Sequence, residues 1–176
     1  MARVQIYLDD LGRPHTYRFT RPDGSRHSIP GLRLKVFINL MHLVIPGRRA
    51  GEAAFPDCVL DTGAFLSIVP AYIWQQFRPG VITPLPFDPA TPPGHRFLTI
   101  AGGRYAYELG EITARLEDPS RATMDVTLIA KFTRDGGRLT IPLTLGLRGG
   151  VLDGRVLHAE PDPTAPHTQA WSLADP

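Results

Sequence analysis

Proline and glycine cut this chain into short pieces, and that limits what it can fold into more than any other feature. Its 18 Pro and 17 Gly are spread between apolar runs. Proline removes a backbone donor and glycine weakens a helix interior, so short strands joined by turns are what remains. "VQIYL" (4–8) alternates, and in "LRLKVFINLMHLVI" (32–45) the residues Leu32, Leu34, Val36, Ile38 and Leu40 recur with a period near two. "TYRFTRPDGSRHSIP" (16–30) predicts a hairpin turning at Pro22-Asp23-Gly24. "PDCVLD" (56–61) predicts a short buried strand, and "TMDVTLIAKF" (123–132) another. "RFLTIAGGRYAYELGEITARLED" (96–118) predicts a hairpin whose arms flank Ala101-Gly102-Gly103. Only "PAYIWQQF" (70–77), opened by Pro70, predicts one or two turns of helix. The proline-dense 78–95 predicts an extended connection, and 161–176 a loose tail. The expected class is all-β, a barrel or closed sandwich of short strands with one short helix.

Composition removes several function classes. At 43% apolar and 20% charged, the 176 residues can bury a core and form one domain. The formal net charge is +2 and the densest basic spot is Arg48-Arg49, so no clustered basic face tracks phosphates and nucleic acid is not an expected partner. No apolar run approaches the roughly 20 residues of a membrane span, so no membrane is expected. "MARVQIYLDDLGRPH" carries acids where a signal peptide has its apolar segment. The single Cys58 excludes an internal disulfide and reads as a small core residue. A cytoplasmic location is the expectation. His15, His27, His42, His95, His158 and His167 are scattered without metal-ligand spacing, and neither a Gly-x-Ser-x-Gly elbow nor a phosphate-loop lysine is present. No metal and no cofactor is expected. Glu108 and Glu111 read as solvated, and Tyr105 and Tyr107 as packing residues on one strand face.

One stretch raises a sharper question. In "CVLDTGAFLSIVP" (58–70) an apolar run ends on one acid, then a Thr and a Gly, and apolar residues resume at Ala64. A buried charge is costly unless paired or hydrogen-bonded. Either Asp61 only starts a turn, for which Asp, Thr and Gly are ordinary residues, or it is held there for chemistry.

The whole pattern, Val59-Leu60-Asp61-Thr62-Gly63-Ala64 with Ser67-Ile68-Val69-Pro70 after it, resembles the retropepsin-like family of aspartic proteases. The resemblance implies an acid-protease closed barrel with a single Asp-Thr-Gly-Ala loop. Asp61 would hold the water that attacks a peptide carbonyl. The Thr62 hydroxyl would bond across to a partner loop, Gly63 would let the backbone approach closely, and Ala64 would pack behind, with Phe65 beside it against substrate. The hairpin with Ala101, Gly102 and Gly103 is similar to the family's flap, which closes over substrate. "PLTLG" (142–146) is similar to its late apolar-apolar-Gly stretch, which passes beside the active loop. The likeness spans residues 32–160. It divides the chain into an N-terminal hairpin extension (1–30), the protease domain (31–160) and the tail (161–176). Two departures stand out. Phe65 occupies a position where many relatives carry Ser, Thr or Asp, and Leu147 intervenes between Gly146 and Arg148.

This chemistry needs two carboxyl groups sharing one proton, because like charges about 3 Å apart cannot both ionise. "VLDG" (151–154) echoes the motif but lacks the Thr, so Asp153 reads as a turn residue. The expectation is a homodimer with one Asp61 from each copy, cleaving a peptide or protein substrate as an aspartic endopeptidase. Two other readings stay open. One is a catalytically silent module of the same fold, for dimerisation or peptide binding. The other is an unrelated β-barrel with an accidental Asp-Thr-Gly.

Overall fold

A computed structural model describes residues 2–10, 16–29, 32–39, 54–61, 63–100, 103–118, 120–134, 141–163 and 169–176, with side chains for all of these except 7–10, 32–39 and 54–57. In chain order the elements are β1 (Arg3–Asp10), β2 (Tyr17–Thr20), β3 (Arg26–Ile29), β4 (Leu32–Asn39), β5 (Ala54–Leu60), β6 (Ser67–Val69), α1 (Ala71–Trp74), β7 (Thr83–Leu85), β8 (Phe97–Ile100), β9 (Gly103–Glu117), β10 (Thr123–Thr133), β11 (Thr144–Leu145), β12 (Val156–Pro161) and β13 (Gln169–Ala174). The class is all-β with one short helix.

One 11-stranded sheet runs β12-β13-β1-β4-β5-β11-β6-β10-β9-β7, with β8 on the free edge of β9. The far end of β4 also pairs with β9, from Phe37↔Glu117 to Asn39↔Arg115, and this curls the sheet into a half-barrel. Inside the curl lies the main core, with Cys58, Leu60, Val69, Leu116, Leu128, Phe132, Leu143, Leu145 and Leu173 among its side chains. No helix among the described residues is long and apolar enough to cross a membrane.

The 16–30 hairpin forms as β2 and β3, a separate two-stranded sheet. Its turn is closed by Asp23, whose carboxylate accepts the Ser25 N–H and hydroxyl. The first strand, β1, pairs with both β13 and β4 inside the main sheet. Within 161–176, residues Gln169–Ala174 form a strand. The segment's prolines stop at Pro166 until Pro176, so 169–174 can donate to ladders, and β13 pairs with β12 and β1 while burying Ser172 and Leu173. The 78–95 connection is also partly structured, since β7 adds a strand to β9.

Helix α1 is shorter than the 70–77 window. Pro70 precedes it, the Ala71 N–H donates to the Thr133 hydroxyl, and the Trp74 indole donates to the Thr133 carbonyl. The long strand β9 changes its buried face part-way. Tyr105 and Tyr107 are buried in its first half, and Gly110, Ile112, Ala114 and Leu116 in its second. Its pairing with β10 is unbroken from Thr123↔Glu117 to Thr133↔Tyr107, so the change is not a bulge. It reflects different covers: the first half belongs to the β8–β9 hairpin and packs a second small cluster with Ile68 and Ile141. Gly110 sits at the change, where a Cβ would come 2.6 Å from Ile82 and 2.9 Å from the Phe132 ring.

Candidate active site

Strand β5 sends Cys58 and Leu60 into the core and ends there. The next residue, Asp61, still donates its N–H to the Leu145 carbonyl, at 3.0 Å. The chain then turns. The Ala64 N–H donates to the Asp61 carbonyl at 3.1 Å, and the Gly63 N–H donates to Asp61 Oδ1 at 2.8 Å. The Asp61 carboxylate itself is exposed, so no buried charge has to be paid for. The turn role is thus real, with Oδ1 engaged by the Gly63 N–H in an exposed carboxylate.

That backbone is fixed from the side by a strand from far along the chain. Strand β11 lies between β5 and β6, parallel to the first and antiparallel to the second. Beyond it, the Gly146 N–H donates to the buried Ser67 hydroxyl at 3.2 Å. The Leu147 and Arg148 N–H groups donate to the carbonyls of Ala64 and Phe65, each at 2.9 Å. Gly146 is required by closeness: a Cβ there would lie 2.5 Å from the Leu66 carbonyl carbon and 2.9 Å from the Ala64 oxygen. Asp61, Ala64, Phe65 and Ser67 are therefore held by 145–148, while Asp61 and Phe65 are exposed. Phe65 is 68% exposed.

Leu147 does not disrupt this arrangement, because the clamp uses its backbone alone. Arg148 pairs with Asp153 at 2.8 Å. The Asp153 carboxylate also accepts the N–H groups of Gly150 and Gly149, and these together with Arg148 hold its carboxyl below the usual carboxylate range. It organises a turn, as its sequence context suggested. Gly150 has φ +111°, and a Cβ there would meet the Thr127 carbonyl oxygen at 1.7 Å, so only glycine fits.

The structure brings Asp61, Gly63, Ala64 and Phe65 into one loop. Thr62, Ala101 and Gly102 lie outside the described residues. Gly103 is the first residue of β9 and pairs with Ile100. Among the described residues, the hairpin approaches the Asp61 loop through a small apolar cluster. Tyr105 packs with Ile68, four residues beyond Ala64, and with Ile141, while Leu98 and Ile100 pack against them.

The remaining groups play other parts. Burial pushes the Cys58 thiol far above its ordinary value, so it is no nucleophile. Burial also raises the Tyr107 phenol, which donates to the His95 carbonyl. Glu108 pairs with Arg134 at the surface. Among the described residues no group of three His, Cys, Asp or Glu side chains is placed to hold a metal. The Ser67–Gly146 latch was not expected from the sequence, although Ser67 stood in the quoted pattern. No protein-family model, no curated protein and no solved structure matches the chain.

Proposed function

We propose that this chain is one subunit of a retropepsin-like aspartic endopeptidase, an acid-protease barrel that acts as a homodimer with one Asp61 from each copy. One observation carries the reading. An exposed aspartate follows β5, and its loop is held by β11 (Thr144–Leu145), inserted between β5 and β6, with Gly146 after it bonded to Ser67. A solvated surface turn needs no such clamp, whereas a carboxylate that must meet its twin within about 3 Å needs a rigid mount.

The chemistry follows from two such carboxyls. The ionised one takes a proton from a water as its oxygen attacks the scissile carbonyl. The neutral one gives its proton to the carbonyl oxygen, forming a tetrahedral diol. Collapse of that diol breaks the C–N bond, and the amine leaves with a proton. Gly63, Ala64 and Phe65 would line the floor, Thr62 would bond to the other copy's loop, and the Ala101-Gly102-Gly103 end of the hairpin would cover an extended peptide through backbone hydrogen bonds. The buried, unpaired Cys58 suits a reducing, cytoplasmic setting.

Phe65 favours a second reading. Beside Asp61 it offers an exposed ring and no hydrogen bond, where a polar side chain would orient the carboxylate or the substrate backbone. A silent dimerisation or peptide-binding module would tolerate that ring. The deciding experiment is digestion of a mixed peptide library at about pH 4–6, with and without a statine-type inhibitor. The proposal expects inhibitor-sensitive cleavage, lost by at least about a thousandfold in a folded Asp61→Asn variant. Equal turnover by that variant would remove Asp61 from the chemistry.

A further inference from the structure

The pairings of neighbouring strands set one row of side chains on one face of the sheet. Val59 pairs with Thr144, Thr144 with Ile68, Ile68 with Lys131, and Lys131 with Leu109. Paired residues point to the same side. The other side of these strands sends Leu60, Leu145, Val69 and Phe132 into the core. Asp61 follows Leu60 with its N–H still in the ladder, so alternation returns it to the side of Val59. The β8–β9 hairpin also lies on this side, seated through Tyr105 on Ile68.

Lys131 is the odd member of the row. Its neighbours are Ile68 and Leu109, and its ammonium nitrogen sits 5.1 Å from the centre of the Tyr107 ring on the hairpin. It is partly buried, and desolvation alone lowers its pKa; among the described residues no carboxylate pairs with it. A cation removed from water without an acidic partner is costly, and one aromatic face offsets only part of that cost. Among the described residues no counter-ion stands at ion-pair distance, so an anion carried by a bound molecule would stabilise the charge.

We propose that Lys131 is the residue through which this site selects peptides with an acidic side chain near the cleaved bond. The inference rests on the peptidase reading above. Three strand spacings separate β5 from β10, roughly 14 Å. An extended peptide covers that in about five residues. The carboxylate of an Asp or Glu within that reach of the scissile bond would meet the ammonium at the hairpin's edge, where low local polarity strengthens a charge-assisted bond.

The test uses the full chain and peptide pairs that differ by Glu or Gln at one position, scanned over about five residues on each side of the cleaved bond. The wild type should favour Glu at one or two positions by about tenfold in kcat/KM, the scale of one charge-assisted bond. Lys131→Met should bring that ratio to about one, and Lys131→Glu should transfer the preference to a Lys peptide. Binding of the same labelled peptides to Asp61→Asn, with and without Lys131→Met, gives a readout independent of turnover. Cleavage with no Glu preference, or a preference that survives Lys131→Met, overturns the role of Lys131 and leaves the peptidase reading intact. A Lys131-dependent Glu preference in binding, without cleavage, upholds the acidic subsite and removes the peptidase reading. Neither cleavage nor binding removes both.

Discussion

The Ser67 hydroxyl is fully buried, and it accepts an N–H from Gly146, 79 residues away. Removing it strands a buried donor on the segment that clamps the Asp61 loop. Ser67→Ala should cost about 1–3 kcal/mol, read as a lower urea midpoint at unchanged slope. Gly146→Ala should cost more, because the obstacle to its Cβ is the Leu66 backbone and not a side chain that can swing away. A midpoint for Ser67→Ala equal to the wild type would show that the latch bears no strain. At this scale the sequence was legible where residue types stood side by side. Asp61, Gly63 and Ala64 could be read because adjacency makes their pattern, whereas the Ser67–Gly146 bond joins distant residues whose types are common in any loop. Lys131 was less legible still. Nothing in "TLIAKFT" (127–133) distinguishes it from an ordinary outward lysine, and only strand register places it between Ile68 and Leu109.

Among the elements, the turn joining β9 to β10 shows how a local acid organises distant strands. Asp118 is buried and accepts the Gln5 N–H from β1, the Ser120 hydroxyl and the Ala122 N–H. Burial by itself would raise its pKa, but these donors together outweigh burial and hold it below the ordinary 3.8. A carboxyl lowered on folding contributes fully above its unfolded value, and the contribution fades as pH falls through the lower folded value. Asp118→Asn should therefore lose about 1–3 kcal/mol at neutral pH. The gap to the wild type should close as pH drops below about 3.8, followed by urea denaturation across that range. A gap that stays constant with pH would assign the loss to shape and not to charge. Strands with alternating patterns (β1, β4, β9 and β10) were foreseen, and so was the β2–β3 hairpin with its Pro-Asp-Gly turn. The final strand β13 is hidden in the sequence behind Pro161, Pro163 and Pro166, because proline density masks the proline-free run of Gln169–Ala174 that can enter a ladder. The face change along β9 was hidden for a different reason. Both halves alternate normally, and which face is covered depends on what else folds onto it.

For the molecule as a whole, the proposal turns on stoichiometry. Each chain offers one Asp61, exposed as Phe65 is, and Asp153 is committed to its own turn. A shared dyad therefore needs two copies, and mixing can count them. Wild-type chains and Asp61→Asn chains refolded together in equal amounts should pair at random if the loops meet on a two-fold axis. About one quarter of the dimers would then carry two aspartates, and only those hold the proton-sharing pair. Activity per total chain should fall to about a quarter of the all-wild-type preparation, and a series of mixing ratios should follow the square of the wild-type fraction. A chain that cleaved on its own would fall to about half and follow a straight line. The curve separates the two cases without any assumption about affinity, provided that sedimentation finds dimers at the assay concentration. A linear curve from a sedimenting monomer would leave Asp61 without a partner and take the two-carboxyl mechanism with it.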